Sequence, residues 1–576
     1  MPNLIFTLFR RLRSPLITLI LVYTFSILGF VLIPGIDDKG QVWQMSFFHA
    51  FYFVSFMGTT IGFGEIPYAF TDAQRFWALL TMYATVVAWL YGIGVLLSVF
   101  QDSTFIRLVK ANVFNRRIRN IREPFYIICG YGDTGSQLTH AISEEGILCV
   151  VIDADQERIN ELEADDFLNA PIGLCADVSV SEVLENAGIT HRWCQGIITL
   201  AKEDTVNLTV AVVAELLNPK LRLISRAETP EAEANILSFG ANEVINPFDT
   251  FASRLALVQK SPSLYCLYDW LTGPPGQPMK EPPIPRPGLW IIGGFGRFGR
   301  TLYDHLDHEG ITLHVIEPDR TVRDLPSGSI VGRPMEAQAL KKAGIEDAVA
   351  IVAGTDVDAN NLSIIMTAQE INPHLFRIAR QNQEKNAHLF KSAHLDMLMQ
   401  RGTVISNTIF ALIKTPLLGD FLRIVSRFNK EKANELVSRI IGVVYDDIPQ
   451  LWELTINKTD TPALLDMMSK QQVLVGDILS NASLRFSDNK QKVNALPLFL
   501  KRGDGNVLLP ETNRIIREGD RFLMCGTDEA EQSMLHIVNN INLLETLLLG
   551  EEIPASWLFR KLKARRKEKE AQQEVE

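Results

Sequence analysis

Residues 15–34, PLITLILVYTFSILGFVLIP, carry no charged side chain, and neither do residues 76–100. Twenty residues at a helical rise of about 1.5 Å cover roughly 30 Å, one bilayer core. Each run is therefore long enough to cross a membrane as a helix. The first is too long for a signal peptide's apolar segment and lacks a small-residue cleavage site. Arg10, Arg11 and Arg13 precede it, and Arg107, Lys110, Arg116, Arg117, Arg119 and Arg122 follow the second run. The stretch between is poor in basic residues and holds Asp37 and Asp38. Positive charge stays inside, so both ends are expected in the cytoplasm, with everything after about residue 100 on that side. A chain of 576 residues leaves room for three or four domains. Net charge of −11 argues against a nucleic-acid binder, and 47% hydrophobic with 21% charged residues excludes a disordered chain. Six cysteines form no C-x-x-C pair, which excludes a zinc ribbon or thioredoxin motif. No metal site is expected.

Between the spans, residues 43–57, WQMSFFHAFYFVSFM, are apolar but too short to cross a bilayer. A re-entrant half-membrane helix fits. It leads into Thr60, Ile61, Gly62, Phe63 and Gly64. Irregular backbone at membrane depth is tolerated where it lines a cavity or is buried in protein. Glycines at alternate positions let successive carbonyls turn the same way, and rings of carbonyls can replace the water around a potassium ion. An ordinary glycine turn between helices is the plainer alternative. The segment resembles the selectivity filter of potassium channels, with Ile61 for valine, Phe63 for tyrosine and Glu65 where that family often has aspartate. The resemblance implies K+ as permeant ion and a homotetramer, because one loop per chain cannot close a pore. By the same resemblance Gly92 is a gating hinge; close helix packing would equally account for it.

The soluble part contains a long repeat. An apolar strand from Phe125 runs into Gly130, Gly132 and Gly135, a G-x-G-x-x-G turn that includes Asp133 and Thr134. A helical pattern follows, then a second strand ending at Asp153. Strand, glycine turn, helix, strand and terminal acid in that order point to a dinucleotide fold. The glycines let backbone approach a pyrophosphate at a helix N-terminus, and Asp153 would accept from a ribose hydroxyl. No arginine adjoins Asp153 in sequence, which favours NAD over its 2′-phosphorylated form. Without a gap, the pattern returns 164 residues later as Gly294, Gly296 and Gly299, with Glu317 in place of Asp153. Arg297 and Arg300 crowd this second loop.

The two units resemble the RCK (KTN) domains that regulate potassium conductance. The resemblance places Asp177 near an adenine or its ribose; a helix cap or turn is the alternative. Arg333 stands at the matching position of the second unit and reverses the charge there. NAD or NADH is expected at the first unit, and ADP/ATP or no ligand at the second. Calcium-gated relatives carry acids around the segment matching residues 225–228, but Arg226 replaces one of them.

The expected fold class is a membrane α-helical pore (two spans plus re-entrant pore helix) followed by two α/β Rossmann-like doubly wound domains and a small α+β C-terminal lobe. The expected divisions are a cytoplasmic N-terminus (1–14), the pore domain (15–102), a linker to a gating ring (103–123), the first RCK N-lobe and its helices (124–271), a proline-rich linker (272–288), the second N-lobe and its helices (289–437), the C-terminal lobe (438–530), and a C-terminal helix with a charged tail (531–576). The resulting expectation is a nucleotide-gated potassium channel in the inner (plasma) membrane. Its partners would be lipid, potassium ions and nucleotides, with no nucleic acid. It would not be an enzyme: no substrate domain places an acid or base beside a nicotinamide.

Overall fold

The computed structural model describes residues 4–62, 64–65, 67–273, 276–279, 284–445, 447–480, 493–503, 505–549 and 561. It divides into two compact units, residues 1–121 and 122–576.

The first unit is helical. Leu4–Leu32 and Asp72–Gln101 form helices of 29 and 30 residues, each containing a stretch apolar and long enough to span a membrane. They approach closely at Gly29, where a Cβ would lie 2.0 Å from the Trp77 ring. Trp77 in turn donates its indole N–H to the Ser26 carbonyl at 3.1 Å. The helix Phe47–Gly58 starts at Ser46, whose hydroxyl accepts from the His49 N–H. It packs through Phe53 and Phe56, with Phe30 and Phe70 completing an aromatic cluster. The helix Asp72–Gln101 opens with a reciprocal capping box between Thr71 and Gln74, which satisfies two otherwise orphaned donors.

The second unit holds two parallel six-stranded sheets and one antiparallel four-stranded sheet. Numbering strands along the chain, each parallel sheet has the order 3-2-1-4-5-6. Phe125–Cys129 is the first strand of one sheet and Trp290–Gly293 that of the other. Both central strands read as continuous apolar runs because helices cover both faces. The repeat extends to hydrogen bonds. Asn207 donates to the Ala201 and Arg226 carbonyls, while Asn361 donates to those of Thr355 and Arg380.

The helices that follow each repeat pack on the opposite repeat. Pro247–Lys260 buries Phe248, Phe251 and Leu255 in the core around Trp290, Ile292 and Phe298. Arg401–Lys414 buries Ile405, Ile409 and Ile413 in the core around Ile128, Leu138 and Val151. Division at residues 272–288 follows the chain but not these cores. Apolar faces on adjacent, similar sheets are equivalent partners, and the exchange fills each sheet with its neighbour's helix.

The third sheet comprises Gln450–Thr455, Arg521–Gly526, Ala495–Arg502 and Gly505–Leu508, in that spatial order. Its core continues past residue 530, into Met534, Ile537, Val538 and Leu544. The expected end of this lobe is therefore too early: helix Asp528–Asn539 is amphipathic and caps the sheet. The charged tail falls outside the described residues, apart from residue 561.

Candidate functional site

The first strand ends at Gly130, which takes a φ of +108°. Only glycine adopts this region readily, and a Cβ there would meet the Leu200 carbonyl carbon at 3.0 Å. Gly135 lets the helix Asp133–Glu144 start directly against the turn, since its Cβ would lie 2.1 Å from the Gly130 oxygen. The N-cap, Gly132, supplies no capping side chain. The first-turn N–H groups are thus left for a ligand, at the positive end of the helix dipole.

Asp153 closes the next strand and is 6% exposed. It accepts from the Tyr131 N–H at 2.6 Å and from the Asp155 N–H at 2.8 Å, which fixes its carboxylate beside the glycine turn. These groups open onto a cavity of about 710 Å³ lined by Gly130, Gly132, Asp133, Thr134, Gly135, Asp153 and Asp177. Asp177 also forms a local turn. It accepts from the Ser179 hydroxyl and N–H, and those bonds hold its carboxyl below the usual range. The structure thus shows the turn, on a residue that also lines the cavity.

Two features of the cavity escaped the sequence reading. Arg158, one helical turn beyond Asp153, lies 3.4 Å from its carboxylate. No arginine adjoins Asp153 in sequence, but the fold supplies one. Helix Gln156–Ala164 brings one back to it, and the preference against a 2′-phosphate no longer follows. The far wall comes from the second repeat and includes Gln381, Asn382, Arg401, Gly402 and Thr403.

Arg401 of that wall reaches Glu228 of the first repeat, which is 6% exposed. Glu228 is paired with Arg226, with Arg401 at 2.8 Å and with Arg297 at 2.5 Å. Burial alone would raise the Glu228 carboxyl. The Arg226, Arg401 and Arg297 guanidinium groups outweigh it and hold the carboxyl below its ordinary value. Its oxygens are thus committed to cations of the chain itself, and no cluster of metal-ligating side chains occurs among the described residues.

The second loop repeats the first. Gly294 has φ +97°, a Cβ on Gly299 would lie 2.0 Å from the Gly294 oxygen, and Gly296 is an N-cap without a side-chain cap. Glu317 accepts from the Phe295 N–H at 2.7 Å, as Asp153 does from Tyr131. Arg297 opens the helix after this loop, and its guanidinium is drawn to buried Glu228.

In the first unit, Thr60, Gly62 and Gly64 all have positive φ, at 61°, 64° and 93°. Phe63 lies outside the described residues. The Ile61 N–H donates to the Phe56 carbonyl at 3.0 Å, tying the loop to the helix before it. Glu65 follows the loop and accepts from the Phe70 N–H and from Arg75, both at 2.9 Å. The helix Asp72–Gln101 runs unbroken through Gly92, where a Cβ would meet Leu19 at an ordinary 3.6 Å. Packing within the single chain therefore does not require that glycine.

The Ion channel family profile matches residues 17–102, and the TrkA-N domain profile matches residues 126–247 and 290–400. Potassium channel protein 1 of Methanocaldococcus jannaschii is 27% identical over 220 residues, covering 38% of this chain and 64% of that protein. Probable potassium channel protein 2 of the same organism is 28% identical over 255 residues, covering 43% of this chain and 67% of that protein. The match thus spans about two thirds of these relatives. Among solved structures, the GsuK channel bound to NAD aligns with 92% of this chain and 99% of its own at TM-score 0.43 and 16% identity. GsuK bound to ADP aligns with 73% of this chain and 100% of its own at TM-score 0.40 and 18% identity. By its ion-channel segment and its two TrkA-N segments, this chain belongs to the two-transmembrane-helix potassium channels with tandem RCK nucleotide-binding-type domains.

Proposed function

We propose that the chain forms a homotetrameric, potassium-selective channel of the inner (plasma) membrane, gated from the cytoplasm by nucleotide. The observation that carries this reading is the coexistence, in one chain, of a positive-φ Thr60–Gly62–Gly64 loop behind a short helix and a glycine-loop cavity with a buried ribose acid. Residues 60–64 of four chains would supply the filter, and Gly92 the hinge. The first RCK domain would hold NAD, NADH or an adenine nucleotide. Its residues fit such a ligand: uncapped helix N–H groups for the pyrophosphate and Asp153 for the ribose. The second, through Gly294, Gly296, Gly299 and Glu317, would take ADP/ATP or serve as scaffold.

A ligand moves the gate only by its preference for the open or the closed ring. Shifting a gate from 1:99 to 99:1 takes about 5.5 kcal/mol. Divided over four first-domain sites, that is roughly 1.4 kcal/mol each, about a tenfold preference. A few charge-assisted hydrogen bonds supply this much.

The test is flux from liposomes containing the purified protein, potassium against sodium, with NAD or ADP on the cytoplasmic side. Potassium-selective flux that responds to nucleotide in the wild type, and not in Asp153→Ala, is expected. Selective flux blind to every nucleotide would reduce the glycine loops to scaffold. Absence of selective flux would overturn the pore reading.

A further inference from the structure

Glu228 is one buried carboxylate serving three guanidinium groups. Asp204 is the other acid acting on Arg226, and its carboxylate already accepts from the Glu228 N–H and the Thr229 hydroxyl. Of the three arginines on Glu228, Arg226 and Arg401 line the cavity. Arg226 is 5% exposed and lines the cavity, and its Nε has no hydrogen-bond partner among the described residues. Buried donors are almost always satisfied, so an unpaired one on a cavity-lining arginine marks a place for an acceptor.

The backbone beside Arg401 points to the same place. A Cβ on Gly402 would lie 3.5 Å from both Thr134 N and Thr134 Oγ1. The opening turn of Arg401–Lys414 therefore rests against the opening turn of Asp133–Glu144. The Thr403 and Ser406 hydroxyls hold this juncture by donating to Gln137 Oε1 at 3.3 and 3.1 Å. Two helix N-termini and two arginines thus converge on one end of the cavity, an arrangement suited to an anion.

We propose that Arg226, Arg401 and the first turn of Arg401–Lys414 form a second phosphate seat, and that the distal phosphate of a nucleotide on the first glycine loop takes Arg401 from Glu228. This rests on the reading of the cavity as a nucleotide site. The ligand class is a nucleotide with at least two phosphates, either a nucleoside diphosphate or a dinucleotide. Glu228 then keeps Arg297, which opens the helix of the second glycine loop. Exchange of Arg401 between carboxylate and phosphate would report occupancy of the first repeat to the second.

Calorimetric titration of the full-length protein in detergent with ADP and with AMP tests this. Wild type binds ADP more tightly than AMP. Arg401→Gln weakens ADP about tenfold or more and leaves AMP within about twofold, because AMP has no distal phosphate to lose. Arg401→Lys, which keeps the charge but not the fork, falls between, and this graded series separates phosphate contact from misfolding. Equal loss of ADP and AMP affinity in Arg401→Gln, or no loss of either, would overturn the second seat. So would equal wild-type affinity for the two ligands, though the nucleotide cavity would stand. Failure of wild type to bind either nucleotide would remove the cavity reading itself, and the seat with it.

Discussion

A Cβ at Gly135 would lie 2.1 Å from the Gly130 oxygen, and one at Gly299 would lie 2.0 Å from the Gly294 oxygen. No side-chain rotation relieves a clash between backbone atoms, so the strand and helix must separate. Gly135→Ala is expected to lose nucleotide binding and to destabilise the first repeat by about 1–3 kcal/mol, the usual range for overpacking. Unchanged nucleotide affinity would mean that the turn is not the phosphate seat. Gly62 sits at φ +64° with nothing within 4 Å of its Cβ position in the single chain, so the conformation is the obstacle there and not space. Gly62→Ala is expected to abolish potassium-selective flux while leaving the cytoplasmic unit's melting unchanged. Selective flux in that variant would show that residues 60–64 do not form the filter.

At the scale of elements, the decisive feature is the exchange of helices between repeats. Ile409 is fully buried against the first sheet although it follows the second repeat in the chain. Truncating a buried isoleucine costs about 2–5 kcal/mol, in transfer free energy plus the cavity left behind. Ile409→Ala should therefore loosen the first sheet. Faster hydrogen exchange is expected in strands Phe125–Cys129 and Leu148–Asp153. Loss of protection confined to the second sheet would contradict the exchange. The same packing brings Arg401 to the first cavity, so the helix supplies both core and site.

For the whole molecule, a ligand that binds only the folded state stabilises it by mass action, about 2.7 kcal/mol at a hundred times its dissociation constant. Saturating ADP or NAD is expected to raise the melting temperature of the cytoplasmic unit. No shift with any adenine nucleotide would argue against occupancy of either loop. Much of this was legible along the chain. The charge-free runs, the loop at residues 60–64, both glycine turns and the acids Asp153 and Glu317 are local patterns, fixed by helix rise, backbone freedom and the order of strand, turn and helix. Arg158 was legible in principle, since the helix after Asp153 returns one turn to it. The exchanged helices, the triple pairing of Glu228 and the approach of Gly402 to Asp133 and Thr134 were not. They join residues far apart in sequence whose apolar faces would have fitted either of two similar sheets. Composition and periodicity determine that such faces are buried; only the packed structure decides against which partner, because the two sheets offer nearly the same surface.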